Sequence, residues 1–94
     1  MALQAGAATL TSVAASASST SILAANTARR SFSVYNDSSA VLYLKLGATA
    51  STSSYTVQVA AGGFYECPAA WYYQGAVDGI WASATGNARV TEVI

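Results

Sequence analysis

Apolar and polar residues alternate in short runs along most of this 94-residue chain, and clusters of Gly, Asn, Asp, Ser and Pro separate the runs. The clearest stretch lies between Arg29 and Gly47. In Phe32–Tyr35, Phe32 and Val34 fall on one face and Ser33 and Tyr35 on the other. After Asn36-Asp37-Ser38-Ser39, the run Val41–Leu46 places Leu42, Leu44 and Leu46 together, opposite Val41, Tyr43 and Lys45. The pattern predicts a strand–turn–strand hairpin with the leucine face in the core.

Gly47 ends that strand, and residues 48–54 read as a polar loop. Tyr55–Val59 alternates again, with Tyr55, Val57 and Val59 expected inward. Ala60-Ala61-Gly62-Gly63 supplies a turn, and Phe64–Cys67 is a short strand stopped by Pro68. Ala76–Ala82 and Arg89–Val93 read as the last two strands. Ala84-Thr85-Gly86-Asn87 is a hairpin loop between them, with Gly86 suited to positive φ.

Residues 1–28 differ in texture, being rich in Ala, Ser and Thr and free of charge. Ala15-Ser16-Ala17 resembles a small-residue cleavage site, but no Lys or Arg follows Met1, and Thr9, Thr11 and Ser12 interrupt the apolar run. No run of about 20 large apolar residues exists to form a transmembrane helix. So many Ser and Thr residues also weaken a helix. The expectation is an extended arm with short strands at Thr9–Val13 and Thr20–Ala24, turning at Asn26-Thr27 into Arg29. The predicted fold is all-β: a small antiparallel β-sandwich or barrel of about six to eight short strands. It divides into an extended N-terminal arm, residues 1–28, and a β domain, residues 29–94.

Composition bears on function through stability. Folding a chain of this length buries roughly 63% of its surface, which leaves a small core. Such scaffolds usually lean on disulfides, a metal or partner subunits. Cys67 is the only cysteine and there is no histidine, which excludes an internal disulfide and argues against a zinc site. Oligomerisation or docking on a larger body becomes the expected source of support. Charged residues make up 9% of the chain, against about 25% in ordinary soluble domains, and the net charge is zero. A surface so poor in charge loses little when it is buried against neighbours. Neutrality also argues against a nucleic-acid partner, since phosphate binding needs a basic stripe.

The residues show no catalytic pattern, cofactor cradle or metal-ligand set. The four acids, Asp37, Glu66, Asp78 and Glu92, are scattered rather than paired for acid–base work. Asp37 and Asp78 are expected to bond their own backbone. Cys67 has no histidine to activate it and reads as a small buried side chain. Gly62, Gly63 and Gly75 lack the strand–loop–helix setting of a phosphate site. What remains is a candidate partner interface. Arg29 and Arg30 hold half the positive charge, and Tyr43 and Lys45 lie opposite the leucine face. Trp71-Tyr72-Tyr73 cannot all point into one small core, so some must face outward. Exposed Trp and Tyr suit interface anchors or, alternatively, sugar stacking.

The segments RRSFSVYNDSSAVLYLKLGATASTSSYTVQVAAGGFYE and YQGAVDGIWASATGNARVTEV resemble a family of small structural proteins of tailed bacteriophages. The likeness covers roughly residues 20–94 and is a succession of strands and turns without catalytic residues. It implies a non-enzymatic virion protein, made in the host cytoplasm and similar to capsid decoration (cement) proteins. Its expected partners are the major capsid protein and copies of itself, in a trimer, with no nucleic acid, membrane or small-molecule substrate. A tail, baseplate or head-fibre subunit is the nearest alternative, and a carbohydrate-binding adhesion module a more distant one.

Overall fold

A computed structural model of the chain describes residues 6–94. Eight strands form: β1 (Ala8–Ala14), β2 (Thr20–Leu23), β3 (Ser31–Ser38), β4 (Leu42–Leu46), β5 (Val57–Val59), β6 (Phe64–Glu66), β7 (Val77–Trp81) and β8 (Gly86–Val93). The one helical feature among the described residues is a single 3-10 turn at Ala69–Trp71. The strands make two four-stranded antiparallel sheets, ordered β1-β8-β3-β6 and β2-β7-β4-β5. The chain is therefore all-β, as the alternating pattern predicted.

Core residues come from both sheets at period 2. Phe32 and Val34 of β3 and Ala88 and Val90 of β8 point inward from the first sheet. Leu42 and Leu44 of β4 and Val77 and Trp81 of β7 meet them from the second. The leucine face is thus core at Leu42 and Leu44, while Leu46 at the strand end is half-buried. Cys67 is buried as expected, and burial pushes its thiol pKa up. The N-terminal segment lies along this body. Ile22 and Leu23 of β2 pack in the core, and β1 pairs with β8 from Ala8↔Val93 to Ala14↔Asn87.

The two hairpins expected from the sequence do not form. β3 and β4 lie in opposite sheets, so Ser39-Ala40 is a crossover between layers. β7 and β8 are likewise in different sheets, and β8 starts three residues before the predicted Arg89. Gly86 does take positive φ, at 91°, and a Cβ there would lie 2.5 Å from the Asp37 carbonyl oxygen. That close approach lets β8 run beside β3 along all eight of its residues. Tyr55 was placed inward by the alternation, but β5 begins only at Val57, and Tyr55 is exposed. Asp37 and Asp78 do not bond their own backbones. Asp37 accepts from Arg89 Nε at 3.0 Å, and Asp78 accepts weakly from Ser19 Oγ at 3.5 Å.

The crossover after β3 is held by a buried amide. Asn36 is fully enclosed, and its Nδ2 donates to the carbonyls of Ala40 (2.8 Å), Val59 (2.9 Å) and Ala60 (3.1 Å). Its Oδ1 accepts from the Trp81 indole N–H at 3.1 Å and from Ser38 Oγ at 2.7 Å. One side chain thus ties β3 to β7, to the end of β5 and to the crossover. A buried polar group left without partners costs about 1–3 kcal/mol, and several lose theirs together here. Asn36→Ala should therefore lower unfolding stability by roughly 2–4 kcal/mol in denaturant titration. Asp37→Ala, one residue on, breaks only an exposed ion pair and should cost less than about 1 kcal/mol.

Candidate functional site

The residues singled out from the sequence fall into three structural roles. Arg29 is the clearest correction. It is 0% exposed, so it is not available as a docking residue. Each nitrogen of its guanidinium finds an acceptor within the chain. Nε donates to Glu92 at 2.8 Å, Nη1 to the Gly75 carbonyl at 2.8 Å and more weakly to Tyr73 at 3.4 Å, and Nη2 to the Ala24 carbonyl. The Phe32 ring lies 5.6 Å from its Cζ, adding a cation–π contact. A buried cation needs such a set, because a guanidinium taken out of water is tolerable only when paired and fully hydrogen-bonded. Arg30 is half-buried, and its backbone N–H donates to Val93.

Arg29 is nevertheless tied to the aromatic cluster. Two of its acceptors, Tyr73 and Gly75, belong to the loop from Cys67 to Ala76 that links β6 to β7. Gln74 closes the same junction. Its side-chain amide donates to the carbonyls of Thr27 and Arg29, each at 2.9 Å, and its main-chain carbonyl accepts from the Asn26 N–H. The loop is therefore fixed from beneath by the segment between β2 and β3. Pro68 leads into the 3-10 turn, and Tyr72 follows in the left-handed conformation, with φ 49°. That conformation is strained for a tyrosine and persists where surrounding bonds enforce it.

The three aromatics divide as their number required. Tyr73 turns inward, half-buried against the core, and its hydroxyl donates to the Ala76 carbonyl at 2.7 Å. Trp71 and Tyr72 stand out, 58% and 53% exposed. They form an apolar knob on a loop that has no charged residue between Cys67 and Ala76.

Tyr43 and Lys45 do not join that knob. They lie on the outer face of the second sheet, half-buried. The Tyr43 ring meets Tyr55 edge-on, with centroids 5.1 Å apart. Lys45 Nζ donates to Ser54 Oγ at 2.7 Å and to the Thr49 carbonyl at 3.2 Å, so it ties down the 48–54 loop.

Sequence reasoning missed a second exposed patch, on the outer face of the first sheet. Tyr35 and Phe64 are direct cross-strand partners there, 40% and 63% exposed, and Arg89 is the next partner of Tyr35. Leu10 of β1, 75% exposed, lies on the same face. An open groove of ≈250 Å³ is lined by Leu10, Thr11 and Ser12 of β1 and Arg89, Val90 and Thr91 of β8. Alternation had set Tyr35 on the face opposite Phe32 and Val34, but nothing local showed that Phe64 would share its side. Among the described residues no group of acids, cysteines or histidines stands together as a metal site. No family model matches the chain, and neither a curated protein nor a solved structure matches it significantly.

The Arg29 clamp makes separable predictions. Arg29→Met leaves Glu92 without its ion-pair partner and should cost roughly 3–5 kcal/mol. Adding Glu92→Leu replaces the ion pair by apolar groups and should restore much of that stability. The carbonyls of Ala24, Tyr73 and Gly75 would still lack their donor. Backbone amide exchange at residues 72–76 should then remain faster than in the wild type, even in the restabilised double variant.

Proposed function

We propose that this protein is a non-enzymatic structural component of a tailed-phage virion, acting as a capsid decoration protein that bridges neighbouring major capsid subunits. The observation that carries the reading is the Trp71–Tyr72 knob, presented on a loop that Arg29 and Gln74 hold in place. Trp and Tyr are the side chains that most often dominate binding energy at protein interfaces. A loop already ordered avoids much of the entropy loss on docking. Low charge supports the same reading, since little desolvation opposes burial of such a surface. The sequence resemblance supplies the virion. The partners are then the major capsid protein and other copies of the chain.

A sandwich of this kind acts mechanically. The two sheets share one core, Asn36 of β3 bonds Trp81 of β7 across it, and Arg29 joins β8 to the segments beside β2 and β7. A load applied at the knob is passed into that core rather than taken up by the loop. A protein clamped between capsid subunits works by resisting their separation, so rigidity is the property required. The same surface would serve a tail or baseplate subunit, and copy number per particle separates the two.

A sugar-binding role is less well supported by this loop. Sugar recognition needs polar groups aimed outward beside the stacking ring. Gln74 is the loop's one amide side chain, and it is occupied by the carbonyls of Thr27 and Arg29.

Replacing both knob residues by alanine removes exposed rings without touching the core. Trp71→Ala with Tyr72→Ala should leave the melting temperature within a few degrees of wild type. Occupancy on heads lacking the protein should fall by about tenfold or more, because anchor residues typically carry at least 2 kcal/mol. Quantitative electrophoresis of sedimented heads measures it, and unchanged occupancy would contradict the reading.

A further inference from the structure

Each sheet of a sandwich ends in strands with one row of unpaired N–H and C=O groups, and proteins normally guard those rows against other chains. Three of the four edges here are guarded. β6 is three residues long, carries Glu66 and runs into Pro68, which has no N–H to offer. β5 is also three residues long. β2 has four residues and a register shift between Ser21 and Leu23 that breaks its edge.

The fourth edge, β1, has none of these devices. It runs seven residues, ATLTSVA, in unbroken register on β8. It contains no charge, proline, glycine or bulge, and five of its residues are Thr, Ser, Leu or Val. Among the described residues nothing pairs with its outer edge. Six of its seven side chains are exposed, and only Val13 packs against the core.

We infer that β1 is a pairing edge for a second copy of this chain, which joins edge to edge and antiparallel to make the two four-stranded sheets continuous. The composition of the strand selects that occupant. A neutral partner meets no like charge, and a charged one finds no ion pair. Centred on Thr11, the antiparallel register is self-complementary. Thr11 faces Thr11 of the other copy, Leu10 faces Ser12, Thr9 faces Val13 and Ala8 faces Ala14. The two Leu10 side chains become diagonal neighbours, within reach of one another, so an exposed leucine gains apolar cover on each side. A seven-residue ladder spans about 24 Å, which suits a weak, concentration-dependent pair that strengthens when other contacts hold the copies close. The pairing has two-fold symmetry, so it makes dimers, unlike the trimer implied by the sequence resemblance. It does not depend on where in a particle the protein sits.

Sedimentation equilibrium of the full chain from micromolar to millimolar concentration tests this. Wild type should show a reversible monomer–dimer equilibrium. Thr11 is exposed and faces Thr11 of the other copy, whereas Thr9 lies opposite Glu92, so the charge is placed at Thr11 alone. Thr11→Lys should weaken the dimer by about tenfold or more, because like charges then sit opposite one another. Thr11→Glu should do the same. An equal mixture of the two variants should associate again. A wild type that stays monomeric at millimolar concentration overturns the proposal, as does a lysine variant that dimerises as tightly as wild type.

Discussion

A guanidinium with no exposure to water is the constraint around which this small domain is arranged. Arg29 needs acceptors around its guanidinium, and the chain supplies four from three directions: Ala24 after β2, Tyr73 and Gly75 in the aromatic loop, and Glu92 on β8. The buried charge therefore brings together segments far apart in sequence. In doing so it sets the path of the loop that carries Trp71 and Tyr72. A hydrophobic core alone leaves a connecting loop free to choose among conformations, because apolar contact has no direction. Hydrogen bonds from a fixed, forked donor do have direction, and here they select one path.

Asn36 repeats the principle near the other end of β3. Between Arg29 and Asn36 stand Phe32 and Val34, both buried. One short segment thus carries two polar hubs with an apolar section between them. The first hub fixes the exposed aromatic loop and the second fixes the crossover between sheets. Elsewhere the structure is held more loosely. The Asp37–Arg89 pair lies in solvent, and β1 rests on its ladder and a single inward valine. Rigidity is concentrated where the proposed docking knob is supported, and the free edge lies where little else packs.

Much of the strand content was legible in the sequence, because period-2 alternation records which face of a strand is buried. Leu42 and Leu44 were placed in the core on that basis alone. Pairing was not legible. Alternation says that Phe32 and Leu42 both face inward, and this holds equally for a hairpin within one sheet and for two strands facing across a core. What decides between them is the amide of Asn36, whose partners at Val59, Ala60 and Trp81 are remote in sequence. Arg29 and Arg30 posed the same difficulty. They are adjacent and chemically identical, yet one is enclosed and the other half-exposed, because only Arg29 meets Glu92 and the loop carbonyls. Tyr55 was misplaced by carrying the alternation two residues beyond the start of β5. The outward direction of Trp71 and Tyr72 followed from counting alone, since one small core cannot hold three consecutive rings.

The central claim is that a rigid aromatic knob, prebuilt by a buried arginine, is the part of this protein that enters a neighbour. Under the proposed function, reconstruction of a tailed-phage head decorated with this chain, at a resolution that traces side chains, tests it most directly. The account predicts the sandwich on the outside of the head, with Trp71 and Tyr72 buried between major capsid subunits and the Cys67–Ala76 loop unchanged from its free conformation. A particle in which the chain is bound but both rings face solvent, or in which that loop has been rebuilt on binding, would contradict it.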